Sequence, residues 1–536
     1  MEGQGKFRKQ LTLVDLTFLG LGSIIGSGWL FASAKVANTA GPAAWISWLI
    51  GAVAVILLGL VYAELGGSIP RAGGTVRYPV YSHGPLIGYL MGFASLIAFS
   101  SVAGIEVEAA RQYLGGWVPG LTADPTTGHP TVLGWFVQLA FLVIFFLLNY
   151  WSVKVFGKAN TIITAFKFIV PIITVIVLLT SFHGANFSVK GFAPFGFSGI
   201  ETAVSTAGIV FAFLGFQQAV GFSSEAKNPQ RTVPVAIILA VLLSAGLYIL
   251  LQLAFVGGIP TSDLAGGWGT VKQKFNLPFR DIALVLGFGW LAGLITFDAI
   301  VSPNGTGNIY LSATSRVIFG WARNGTFFKV FGKVDERTGV PRAALWLGFF
   351  ASLFWTLPFP SWDAMVSVVS SATVLTYIVG PISAHAFRYN APDLARPFYL
   401  KGMGIISPLA FIIASEIIYW TGWKTDSWLL GSMLVMFVLY LIFSKSVPKG
   451  QVSLAQQVKS SWWLIVYFAI MIVLSYFGTF EGTGAIRGPW DQIVVALISV
   501  VVYYWGVKTA LPRAVFDVEH VEGGDVIAAP GSTASV

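Results

Sequence analysis

Some twenty residues with hardly a charge among them, then a short polar interval, then another such run: this pattern recurs roughly fourteen times, and about twenty residues is what a helix needs to cross a bilayer. It leaves the backbone few choices. In hydrocarbon every amide must be paired within the protein, which restricts spanning structures to helices and closed barrels. The runs lie near 13–36, 43–66, 85–110, 132–151, 160–181, 202–222, 235–258, 282–302, 343–358, 363–386, 405–423, 427–444, 462–479 and 490–508. Composition agrees: 10% of the 536 residues are charged, against about 25% in a soluble protein. An all-α polytopic membrane protein is expected, with about 14 transmembrane helices and 12 as the alternative count. No interval is long enough for a sizeable soluble domain. The first run continues without a signal-peptidase-type site, and the tail 509–536, small and acidic in composition, is expected to be disordered.

The basic residues set an orientation. With Lys6, Arg8 and Lys9 on the cytoplasmic side and the runs alternating, most of the 32 Lys and Arg fall inside, including Arg316, Arg323, Lys329, Lys333, Arg337 and Arg342, and Lys445, Lys449 and Lys459. That asymmetry is the positive-inside pattern. It predicts a multi-pass protein of the cytoplasmic membrane with both termini inside. The net charge of +9 then reads as topology and contact with anionic lipid; spread over many short loops, it gives no nucleic-acid footprint. There are no cysteines, hence no disulfide or thiolate chemistry. The five histidines lack ligand spacing, so neither a metal site nor a cofactor is expected. Neither H-E-x-x-H nor G-x-S-x-G is present, which argues against an intramembrane enzyme.

Two runs are interrupted. The first contains GSIIGSG (22–28) where an unbroken helix would want none of it, since glycine costs about 1 kcal/mol relative to alanine in a helix interior. Five runs later, AGIVFAFLGFQQAVGFSSE carries Gly208, Gly215 and Gly221 around FLGFQQ. Breaks at positions one and six predict two five-helix repeats of inverted topology, 13–181 and 202–386, with a cytoplasmic segment 1–12 before them and about four added helices (387–508) after. Secondary transporters hold substrate at the midplane between two such broken helices. An unwound segment exposes N–H groups and a helix N-terminus to a carboxylate, and carbonyls to an ammonium group. The alternative is that the glycines allow close helix packing.

Five ordered motifs carry a resemblance: GSIIGSGWLF through AGP (40–42), YAELGGSIPRAGG (62–74), EAKNPQRTVP (225–234), SPNGTGNIYLSATSRVIFGWARNG (302–325) and DLARPF (393–398). Together they resemble the amino acid/polyamine/organocation permeases over roughly residues 10–445. Within that family GSGWLFA, RYPVYSHG and EVEAARQY are most similar to bacterial aspartate–proton symporters. The resemblance implies a substrate α-carboxylate at Gly26, Ser27 and Gly28. It places the ammonium group at carbonyls near Ile24, Phe211 and Leu214, with Ala212 and Gly215 in the same break, and Phe211 closing over the substrate. Gln217 stands where some relatives carry a glutamate tied to proton exchange.

The charged residues inside runs are candidates by their cost alone. Lys167 (TAFKFIVP) is a proton-coupling candidate, at a position where proton-coupled members carry a lysine; the alternative is snorkelling to the headgroups. Glu106 and Glu108 point about 200° apart on a helix, so at most one can face a cavity while the other pairs with Arg111 at i+3; the alternative is that both lie near the outer end of the run in ordinary ion pairs. Asp298 either lines the cavity or makes a structural hydrogen bond. Glu64 is expected to serve the cytoplasmic gate or the fold, against Arg71, and Glu416 to be a packing or interface feature. Lys35, two turns beyond Gly28 on the same face, either balances a second substrate carboxylate or anchors to headgroups. The polar run SVVSSATVLT (367–376) offers hydroxyls to substrate or to neighbouring helices.

The expected function is proton-coupled uptake of an amino acid by alternating access, with an acidic substrate (aspartate or glutamate) favoured and H⁺ as the coupling ion. The alternatives are a neutral amino acid or polyamine carrier or exchanger, and a sensor that keeps the fold without transport. Oligomeric state is not set by the sequence.

Overall fold

The computed structural model describes residues 11–69, 73–151, 153–217, 227–335, 339–444 and 452–516. Lys6, Arg8, Lys9, Arg71, Gly221, Arg337, Lys445, Lys449 and the tail from 517 lie outside the described residues. Among the described residues, nine helical stretches are long and apolar enough to cross a membrane, and three shorter apolar helices accompany them. Helices dominate, and a two-stranded ribbon (Thr122–Asp124 with His129–Pro130) is the strand structure present among those residues.

The first run is two helices, α1 (Leu13–Ile24) and α2 (Gly28–Ala40). Thr12 and Asp15 form a reciprocal capping box at the start of α1, satisfying amides that have no partner in the first turn. Helix α3 (Ala44–Ser68) follows, then α4 (Gly74–His83) and α5 (Pro85–Leu114). Next come α6 (Val132–Trp151) and α7 (Val153–Leu179). The sixth run is α8 (Gly196–Thr206) and α9 (Ile209–Ala212), followed by α10 (Pro229–Gly258). Short helices α11 (Val271–Lys274) and α12 (Pro278–Val285) lead into the long α13 (Gly289–Arg323). Then come α14 (Arg342–Trp355), α15 (Trp362–Tyr377) and α16 (Val379–Asn390). The chain closes with α17 (Met403–Thr421), α18 (Trp423–Phe443), α19 (Leu454–Phe477) and α20 (Trp490–Thr509).

Helix α5 is the axle. It is buried along most of its length, as a helix is when other helices surround it, and α13 and α15 lie along it in two of the most extensive helix–helix contacts. Helix α10 lies on α3 and on α1, so both halves of the bundle meet at the two interrupted runs. By contrast, α18 and α20 are about one-third buried, as expected of helices with one flank toward lipid.

Three expectations change. The sixth run begins at Gly196 rather than 202, and its break opens at Ala207, with Gly208 at φ +97°. The bend therefore lies earlier than FLGFQQ because a left-handed residue, which glycine alone adopts without strain, occurs there first. Helix α4 is an element that no apolar run announced. Residues 510–516, expected to be part of a disordered tail, are held in place: Leu511 and Val515 donate their amides to the carbonyls of Ser82 and Tyr81, and Ala514 donates to the carbonyl of Asn390.

Candidate substrate site at the paired helix breaks

The two breaks lie against each other. A methyl on Gly28 would sit 2.8 Å from Cα of Ala212, and one on Gly215 would sit 2.6 Å from the carbonyl of Ser23. Gly215 also has φ +117°. The two readings of these glycines are thus one: they end the helices, and they let the unwound segments touch. Tyr248 of α10 ties the pair, its hydroxyl donating to the carbonyls of Ile24 (3.3 Å) and Ala212 (3.1 Å).

Beside the breaks is a small cavity lined by Ser23, Ile24, Gly26, Val102, Glu106, Phe211, Leu214, Thr306 and Tyr310. It has room for about one water molecule, so admission of an amino acid requires its walls to part. Of the sequence candidates, Ile24, Gly26, Phe211, Leu214 and Glu106 line it, and Ser27, Gly28, Ala212 and Gly215 form the breaks behind. Gln217 does not face it: its Oε1 accepts from the Gly215 amide at 3.1 Å and its amide reaches Tyr310, which steadies the second break.

Glu106 occupies the place where the resemblance implies a substrate carboxylate. The Ser27 amide donates to Oε2 at 3.0 Å and to Oε1 at 3.3 Å, and a methyl on Gly26 would lie 2.5 Å from Oε1. Glu108, two residues on, turns away as helical geometry demands. It accepts from Arg111 (2.7 Å) and Gln138 (2.6 Å), with both charged side chains fully buried. Arg111 also holds the Gly128 carbonyl and Thr122 in the ribbon, so this pair fastens the loop after α5 and not the cavity.

Lys167 does not snorkel. It is fully buried, and Nζ donates to the Gly22 carbonyl at 2.8 Å and to Thr306 Oγ1 at 2.6 Å. Gly22 lies in the last turn of α1, so the lysine supports the end of the first half-helix, where a positive charge is favoured. Thr306 in turn reaches the Ile25 carbonyl at 3.4 Å. A lysine and a glutamate on different helices thus grip the two sides of one break. Asp298 is two turns before Thr306 on α13 and outside the cavity lining; Ser302 donates to its Oδ1 at 2.6 Å, which favours the structural reading.

Above the breaks sits Trp362, at the start of α15. Its Nε1 donates to Ser27 Oγ at 2.9 Å. Its ring stacks on Phe31 (5.0 Å) and meets Phe211 edge-on (5.9 Å). Lys35 pairs with Asp363 at 3.6 Å, so it is engaged in an ion pair within the protein. Glu64, expected against Arg71, accepts from Arg388 (2.6 Å) and the Leu400 amide (2.7 Å) and lies 3.6 Å from Arg396, the arginine of DLARPF.

A family profile described as amino acid permease matches residues 11–475. The chain belongs to the amino acid permease family. The permease is 54% identical over 518 residues to an aspartate-proton symporter of Bacillus subtilis, covering 96% of this chain and 99% of that one. It is 40% identical over 514 residues to the glutamate/serine transporter AimA of the same organism, covering 94% of each. It is 27% identical over 457 residues to the branched-chain amino acid permease BcaP, also of B. subtilis, covering 83% of this chain and 95% of that one. Thr306, Tyr248 and Trp362 are the contributors that sequence reasoning missed; Thr306 falls inside the SPNGTGNIY motif, which was the available signal for it.

Proposed function

We propose that this permease is a proton-coupled symporter that imports an acidic amino acid by alternating access between the paired breaks. The observation that carries the reading is the Ser27 amide bonded to the Glu106 carboxylate. A substrate carboxylate needs that same donor. Two carboxylates cannot both remain charged around one amide in a dry cavity, since the loss of solvation is not repaid. A proton on Glu106 removes the conflict, because a neutral carboxyl is the weaker acceptor of an N–H bond. Substrate and proton therefore enter together. Lys167 is the second member of the coupling set. Its charge holds Gly22 and Thr306, so any change in the charge of Glu106 or Lys167 alters the grip on α1.

The names of the two most similar relatives given above, one for aspartate and one for glutamate and serine, favour an acidic side chain. Phe211 and Trp362 form the cover that parts to admit it. In the orientation set by the basic residues, Trp362 lies on the outer side of the breaks and both termini are cytoplasmic. The permease in liposomes, given labelled aspartate, is expected to accumulate it when the outside is acidic and to equilibrate it without a gradient. Accumulation that is indifferent to the proton gradient would refute the coupling.

A further inference from the structure

On the outer side of Trp362 the structure gathers two cations around one anion. Lys272 Nζ lies 2.7 Å from Asp363 Oδ2. Lys35 Nζ lies 3.6 Å from Oδ1 and donates to the Asp363 carbonyl at 3.3 Å. The other ion pairs described on this segment are one to one, Lys274 with Asp263 at 3.3 Å and Arg280 with Asp281 at 3.0 Å. Here two lysines share one carboxylate.

The three side chains come from three elements: Lys35 from α2, Lys272 from α11 and Asp363 from the first turn of α15. Their exposures of 19%, 30% and 21% mean that solvent reaches all of them. Asp363 has a second source of stabilisation, because an acidic residue in the first turn of a helix is favoured by the helix dipole. Drawing the lysines away does not strand it. The cluster is also joined to the cover: Lys35 Nζ is 5.9 Å from the Trp362 ring centre, and Trp362 holds Ser27 and Phe211.

We propose that Lys35 and Lys272 form an outer anion-capture site, at which the side-chain carboxylate of an acidic amino acid replaces Asp363 as counter-ion before Trp362 and Phe211 part. The inference rests on the acidic-substrate reading and adds to it a second, shallower site with its own residues. Exchanging one carboxylate for another between partly exposed lysines changes little energetically, which suits a transient stop. Lys35 is seven residues, about two turns or roughly 10 Å of helix rise, beyond Gly28, which sets the capture site apart from the breaks.

The test uses the full-length permease in proteoliposomes, with initial aspartate uptake measured across a range of KCl concentrations. Lys272→Gln and Lys35→Gln are expected to raise the aspartate KM about tenfold at low salt and to flatten its salt dependence. Asp363→Asn is expected to lower KM, because it removes the competing anion. Opposite signs are decisive: a merely structural latch is broken by either substitution, so both would move KM the same way. Should the Lys and Asp variants shift KM in the same direction, or should uptake by wild type ignore salt, the capture site is refuted. A wild-type permease that takes up no acidic amino acid at all would overturn the acidic-substrate reading itself, an outcome read in the reference arm alone. Melting temperatures of each variant in detergent identify any that fail to fold, and Lys272→Met, which keeps an uncharged stem of similar length, then supplies the Lys272 arm.

Discussion

Two groups of lysine and carboxylate, one at the breaks and one beyond Trp362, use similar chemistry to opposite ends. Inside, Lys167 and Glu106 are at most 1% exposed, bonded to peptide groups of a broken helix and to Thr306. Outside, Lys35, Lys272 and Asp363 are between 19% and 30% exposed and bonded mainly to one another. An exposed ion pair is worth about 0–1 kcal/mol, so the outer group can exchange partners freely and suits capture. In the dry group every charge must be matched, so the arrival of one more carboxylate demands a proton. In the proposed mechanism burial, more than residue type, separates recognition from coupling.

A third pair sharpens the comparison by being dry without touching the cavity. Arg111→Ala leaves Glu108 buried without its cation and is expected to destabilise the permease by about 3–5 kcal/mol, measured by thermal unfolding in detergent. Loss of stability with an unchanged proton-to-substrate ratio in the surviving protein would confirm that burial alone does not make a coupling group. Gly215→Ala places a methyl 2.6 Å from the Ser23 carbonyl at φ +117° and is expected to cost about 1–3 kcal/mol. It should also weaken stabilisation by aspartate, which tests whether the breaks must touch. At the outer group, Lys272→Gln should alter the unfolding free energy by no more than about 1 kcal/mol. A larger loss would mean that the outer cluster is a structural clamp.

Much of this arrangement was legible in the sequence, for reasons of local geometry. The spacing of Glu106 and Glu108 separated a cavity group from an ion-paired one, and Arg111 was its partner. The glycines marked both breaks, although their second role, contact between segments, needed the fold. Lys167 was legible as a costly residue, but Thr306 as its partner was not. Tertiary partners leave no spacing in the chain: Trp362 is 335 residues from Ser27, whose hydroxyl it holds. Helix α4 went unseen because its ten residues include Pro79 and four charged or polar-ring side chains, Arg77, Tyr78, Tyr81 and His83, with no apolar run to reveal it. The order of residues 510–516 was missed for a similar reason, since their amides are held by carbonyls of α4 and by Asn390.

The central claim is that the permease carries a proton because Glu106 and Lys167 grip the first break and must change charge when substrate binds there. The most direct measurement follows lumenal pH with a trapped dye in proteoliposomes when aspartate is added outside. Wild type is expected to acidify the lumen as aspartate enters, whereas Lys167→Ala and Glu106→Gln should exchange labelled for unlabelled aspartate with little or no acidification. Acidification by both variants at the wild-type rate, with aspartate still entering, would contradict the account.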